Sequence, residues 1–180
     1  MRNELDRQKK LKELLKYYYK DQKETEVYAG NEFKRKDGQA LNRPDLIITN
    51  CLTPSFKFKT GQNIAAPIGI ELKDTKQIND TTSGILQAKE YLSYNYLIRK
   101  NNKEIKLNTM AFATSNSIKN GTICKKFEDN KVIERFSWKM NIPILINHDN
   151  ILVWSFRNKY FTLKGKLYGR FGKNAKFYKY

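Results

Sequence analysis

Leu11, Leu14, Leu15 and Tyr18 recur at three- and four-residue spacing through a lysine-rich stretch, which predicts an amphipathic helix over residues 4–20. The period then drops to two. Val27, Ala29 and Phe33 alternate with polar residues, and Asp37-Gly38 offers a hairpin turn into a second strand through Leu46, Ile47 and Ile48. Pro44 fits only at the start of that strand, because proline supplies no ladder donor. Residues 50–66 read as a long connection punctuated by Pro54 and Gly61, a length more often functional than merely connecting. Its Phe56-Lys57-Phe58-Lys59 alternation suits either an accessory strand or a basic, aromatic arm.

A third strand runs from Ile68 to Lys73. Side chains alternate along it, so Ile68, Ile70 and Leu72 face one way while Glu71 and Lys73 face the other. Thr81, Thr82 and Ser83 are N-cap candidates for a helix reaching about Lys100. Ile105 to Thr114 reads as a fourth strand, with Ala111 and Ala113 small enough to pack closely under a helix. Helix, hairpin, strand, helix and strand in that order predict an α/β (α+β) domain, a mixed sheet with helices against it. Beyond residue 116, Ile142–Ile146 and Ile151–Phe156 flank Asn147-His148-Asp149-Asn150 as a hairpin, and Tyr160 to Leu163 adds a strand. Residues 117–180 are thus expected as a β-rich basic extension packed on the same domain as residues 1–116. A chain of 180 residues suits one full core.

The formal charge of +17 points to polyanionic partners, DNA first among them, although lysine and asparagine richness also follows from an AT-rich genome. Residues 164–180 contain no acid and interleave Tyr168, Phe171, Phe177, Tyr178 and Tyr180 with lysines and Arg170. Lys57, Lys59, Lys164, Lys166, Arg170 and Lys173 are accordingly the candidate nucleic-acid contacts, with the terminal rings divided between base stacking and core packing. Cys51 and Cys124 alone give no zinc or iron–sulfur spacing and read as ordinary thiols. His148, the sole histidine, sits in a turn, which argues against serine–histidine or cysteine–histidine catalysis. No apolar run approaches the roughly 20 residues of a membrane span, and Met1-Arg2-Asn3-Glu4 begins no signal-peptide core. A cytoplasmic protein is expected, with a viral or mobile-element context compatible.

An acid two residues before a lysine is cheap in such a chain and occurs at Asp21, Glu32, Glu71, Asp74, Glu104 and Asp129. Context separates one of them. Only Glu71-Leu72-Lys73 ends an aliphatic run, follows a Pro44-Asp45 beside another aliphatic run, and precedes a helix carrying Gln87 and Tyr91 four residues apart on one face. The bland readings are a strand-capping Asp45, an exposed Glu71/Lys73 charge pair, a solvated Gln87 and a core Tyr91.

Taken jointly and in this order, Arg43-Pro44-Asp45, Glu71-Leu72-Lys73 and Gln87-Ala88-Lys89-Glu90-Tyr91 resemble the PD-(D/E)XK nuclease superfamily over residues 1 to about 116. Within it, the glutamine–tyrosine spacing is similar to RecB-type and Cas4-like nucleases and to the nuclease domains of type I restriction enzymes. The resemblance implies a restriction-endonuclease-like core and a Mg2+-dependent (or Mn2+-dependent) deoxyribonuclease. Asp45, Glu71 and the Leu72 backbone carbonyl would be metal ligands, because hard divalent cations take oxygen ligands and leave positions for water and phosphate. Lys73 would orient or deprotonate the attacking water, and Gln87 and Tyr91 would position a phosphate or the acids. A further acid from the first helix is implied too, Glu13 ahead of Glu4, with Glu24, Glu26 and Glu32 left open. A homodimer would supply two scissions, and replication, repair or restriction partners would fit. The alternative is a non-catalytic nucleic-acid-binding protein that keeps the fold.

Overall fold

Residues 2–50, 66–73, 78–114, 131–148, 151–156, 159–163 and 167–170 are described by a computed structural model of the chain. Leu11 and Leu15, one turn apart, are fully buried on helix α1 (Arg2–Tyr18), while lysines cover its outer side. Strand β1 (Glu26–Ala29) pairs antiparallel with β3 (Leu46–Thr49), which pairs antiparallel with β4 (Ile68–Lys73). Helix α2 (Ile78–Tyr91) then crosses to β7 (Thr109–Thr114), parallel to β4, and helix α3 (Lys131–Met140) crosses to β8 (Ile144–His148), parallel to β7. β9 (Ile151–Phe156), β10 (Lys159–Thr162) and β11 (Leu167–Arg170) follow antiparallel. The order across this eight-stranded sheet is β1-β3-β4-β7-β8-β9-β10-β11. The protein is therefore mixed α/β, with a mixed sheet.

Both faces of the sheet are covered. Ile68, Ile70 and Leu72 join Leu11, Leu15, Leu46 and Ile48 in the cluster beneath α1, whereas Ile47 and Phe112 join Ile85, Ala88 and Tyr91 of α2 in the other. A strand sandwiched in this way loses the apolar/polar alternation of a half-solvated one. That is why five of the six residues of β4 are buried. Helix α1 also reaches the far strands: the Tyr19 hydroxyl donates to the Leu163 carbonyl (3.0 Å), and the Leu152 N–H donates to the Tyr18 hydroxyl (3.1 Å). Among the described residues, strands β8 to β11 thus continue the same sheet, under the same helix.

Four expectations are revised. The strand through Val27 to Phe33 breaks at a short 3₁₀ turn (Gly30–Glu32), and β2 (Phe33–Arg35) leaves for a second sheet with β5 (Asn95–Ile98) and β6 (Glu104–Lys106). Asp37-Gly38 is a turn, with Gly38 at φ 80° and its N–H on the Arg35 carbonyl, and the strands it is expected to join do pair antiparallel, as β1 with β3, though β2 between them leaves the pair. Phe33 and Arg35 are both buried, and Phe33 packs edge-to-face on Tyr96 of β5 at 5.8 Å. The second helix stops at Tyr91 rather than Lys100, because its last amides fold back three residues (Ser93 N–H to Glu90 O, Tyr94 N–H to Tyr91 O) and tighten the turn. The strand expected over 105–114 divides at Leu107-Asn108, where the Asn108 N–H turns to the Pro67 carbonyl (2.9 Å).

Helix α3 was not among the expected elements. It ends on Asn141 at φ 59°, with the Ile142 N–H reaching the Ser137 carbonyl, an asparagine-capped C-terminus. The expected Ile144/Ile151 hairpin is present, with His148 as the last residue of β8, paired with Ile151.

Candidate active site

Leu46 pairs with Ile70 across the β3–β4 ladder, so the next positions along it, Asp45 and Glu71, lie side by side. The Asp45 carboxylate is held at both oxygens. Gln8 Nε2 donates to Oδ1 (2.5 Å) and the Leu72 N–H donates to Oδ2 (2.6 Å), while the Asp45 N–H donates to the Ile70 carbonyl (2.9 Å). A strand residue's N–H and C=O point to the same side, so the Leu72 carbonyl is directed toward Asp45 as well. Glu71 is buried, at 3% exposure, and its Oε1 lies 2.7 Å from Lys73 Nζ, two residues on and on the same side of β4. The Lys73 side chain is about one-third exposed. Lysine therefore forms the solvent-facing lip of a carboxylate pair in which Glu71 is buried and Asp45 half-buried.

Helix α2 supplies the wall behind. Gln87 and Tyr91 stand one turn apart on the same helix face, with the Gln87 side chain near the Tyr91 hydroxyl, and Tyr91 is buried at 1% exposure. Burial first, then the negative charges of Glu71 and Asp45, push the Tyr91 hydroxyl well above the usual phenol range. Tyr91 is consequently a neutral donor at any physiological pH and cannot act as a base. Gly84 lets the helix come this close: a Cβ there would lie 2.5 Å from Phe112 Cε2 and 3.0 Å from Lys73 Cγ.

Asp45, Glu71 and Lys73 come together, and Tyr91 lies near enough to feel the charge of both acids. Glu13 does not join them. It pairs with Lys16 at 3.2 Å, is largely exposed, and lies five residues, or about 140° of helix rotation, from Gln8. Glu4 stands one turn before Gln8 along α1. Glu24 is exposed, and Glu26 sits at the far end of β1 opposite Thr49, its carboxylate taken by the Tyr28 hydroxyl.

Glu32 lies closer to the site. The turn that bears it packs on the Asp45 backbone, with the Gly30 Cβ position 3.6 Å from the Asp45 carbonyl oxygen. Its carboxylate pairs with Lys12, one turn after Gln8, and accepts the Ala29 N–H (2.6 Å). Sequence reasoning missed Gln8, Lys12 and Gly84. Gln8 and Lys12 left a trace: both fall in the inward row 8, 11, 12, 15, where polar residues need partners.

Among the described residues no group of three or more histidines, cysteines, aspartates and glutamates is arranged to hold a metal ion. Lys57, Lys59, Lys164, Lys166 and Lys173, like Cys51 and Cys124, lie outside the described residues, and Arg170 ends β11. No described helix is long and apolar enough to cross a membrane. No family model, curated protein or solved structure matches the chain.

Burial raises the Glu32 carboxyl pKa, but the Lys12 ammonium and the Ala29 N–H outweigh it and hold the group below the ordinary carboxylate range. A carboxylate depressed in the folded state stabilises it above the unfolded pKa, and that contribution fades as pH falls through the folded value. Glu32→Gln should therefore lower the melting temperature at neutral pH and flatten its decline on acidification. A variant melting curve parallel to wild type from neutral to acid pH would remove the pair from the acid response.

Proposed function

We propose that this chain is a Mg2+- or Mn2+-dependent DNA nuclease with a restriction-endonuclease-like core. The observation that carries the reading is the pairing of Asp45 with Glu71 on adjacent strands, with the Lys73 ammonium 2.7 Å from Glu71. Two neighbouring carboxylates, one of them buried, are costly to keep ionised unless positive charge stands beside them, as Lys73 does beside Glu71. A divalent cation suits such a pair, and magnesium typically takes one or two carboxylates while keeping water and phosphate oxygens in its remaining positions. Asp45, Glu71 and the Leu72 carbonyl would hold it, and its chemistry there is charge stabilisation on a reacting phosphodiester.

The chain's own residues do the rest. The Gln8 amide and the Leu72 N–H fix the Asp45 carboxylate in one orientation, so little reorganisation remains when substrate arrives. Lys73, partly exposed beside Glu71, can hold the attacking water or place positive charge against the phosphate as negative charge builds on it. Tyr91, kept protonated and buried near the acids, forms an apolar wall that excludes water from behind. The overall charge of +17 favours a nucleic-acid substrate.

Plasmid and linear DNA incubated with Mg2+, Mn2+ or chelator test this directly. Wild type should cut with either metal and not with chelator, and Asp45→Asn and Glu71→Gln should bind DNA but leave it intact. Cutting in chelator, or undiminished cutting by both variants, would overturn the reading. Binding without any cutting by wild type would make the chain a nucleic-acid-binding relative instead.

A further inference from the structure

The small sheet carries a charged feature that the site chemistry does not use. β5 and β6 are joined by the turn Arg99-Lys100-Asn101-Asn102-Lys103, closed by the Ile98 N–H on the Lys103 carbonyl (2.9 Å) and the Asn102 N–H on the Ile98 carbonyl (2.8 Å), with Asn102 at φ 54°. Tyr96, Ile98 and Ile105 are buried beneath it, which leaves the cations on the outside. Arg99, Lys100 and Lys103 are all exposed, as are Lys34 on β2 and Lys106 on β6. Glu104 is the only acid between residues 95 and 106, and it is paired with Lys36 at 2.7 Å. Three exposed cations within five residues of a fixed turn raise the local positive potential, which favours a polyanion lying across it.

The turn is joined to the candidate site by short links. The Arg99 N–H donates to the Glu32 carbonyl (2.9 Å), and Glu32 belongs to the 3₁₀ turn that packs on the Asp45 backbone. Arg43, two residues before Asp45, reaches the carbonyl of Phe33 on β2 through Nη1 at 3.5 Å. The segments that bear Arg43, Lys34 and the hairpin cations are therefore tied to one another and to the segment that bears Asp45.

We propose that the β5–β6 turn, with Lys34 and Arg43, carries the phosphate backbone of DNA away from the site. This rests on the nuclease reading for its direction but not for its binding. Fluorescence anisotropy with a labelled duplex and its single strand, in chelator so that nothing is cut, gives the dependence of log affinity on log salt. The triple variant Arg99→Ser, Lys100→Ser, Lys103→Ser should lower the magnitude of that slope by about 2 to 3 on duplex, since each lost phosphate contact removes about 0.9. The control variant Lys9→Ser, Lys10→Ser, Lys20→Ser, which removes equal charge at Glu13's side of α1 and just past its end, should change it by less than half as much.

Equal effects of the two variants, an unchanged slope in the hairpin variant, or no DNA binding by wild type would each overturn the proposal. A slope change confined to the single strand would assign the track to unpaired substrate. Cutting that persists with an unchanged slope would refute the track and leave the nuclease reading standing. Binding with the expected slope change but no cutting in Mg2+ would do the reverse.

Discussion

Lys73→Ala should lower the rate of DNA cleavage by about 10²- to 10³-fold, the usual cost of deleting one preorganised charge-stabilising group, with DNA affinity almost unchanged. Lys73 is a third exposed at the mouth of a carboxylate pair, so its charge is available to substrate, while its stem lies along Gly84. The stem and the charge can be separated. Lys73→Met keeps most of the aliphatic packing and should lose as much activity as alanine; a methionine variant that cuts like wild type would show that the stem, not the ammonium, matters. Removing the ammonium also takes one partner from buried Glu71, which destabilises the fold. The double variant Glu71→Gln, Lys73→Met should regain stability and remain inactive, a separation that melting curves beside cleavage rates would read. Recovery of both together would mean that the single variants fail by unfolding.

How far the site was legible depended on which physical signal each part leaves in the chain. Asp45, Glu71 and Lys73 stand at the ends of aliphatic runs, and burying Leu46 against Ile70 fixes the register that brings the two acids together. That follows from pattern alone. The azimuth of α1 does not. Whether Gln8 or Glu13 faces the acids depends on how the helix lies on the sheet, and the row through Leu11 and Leu15 turns Gln8 inward and Glu13 out.

The small sheet was hidden for another reason. β2, β5 and β6 are three or four residues long, too short for a period of two to stand out, and β5 follows helix α2 closely enough to read as its continuation. Helix α3 does carry a signal, with Ile133, Phe136 and Met140 at helical spacing, and the last two pack into the core under α2. Gly84 left none, because a glycine's role in a helix is the neighbour it admits, and the neighbours here come from β4 and β7.

That glycine leads to the second large effect. Gly84→Ala should destabilise the protein by about 1–3 kcal/mol, the common cost of overpacking a filled core, even though alanine is the better helix former by about 1 kcal/mol. The new Cβ would stand 2.5 Å from the Phe112 ring and 3.0 Å from Lys73 Cγ, closer than carbon atoms pack. Phe112 is fully buried on β7 and has little room to yield, so the helix must lift. Lifting α2 carries Gln87 and Tyr91 away from the acids and frees the Lys73 stem, and a displacement near 1 Å at a catalytic group can cost about 10²-fold in rate. Gly84→Ala should therefore lose activity beyond what its melting temperature explains. Phe112→Leu in the same chain, by removing the ring edge that the methyl meets, should return both stability and cleavage toward wild type. A Gly84→Ala protein as stable and active as wild type would mean that α2 does not rest on β4 and β7 this tightly, and the wall assigned to Tyr91 would go with it.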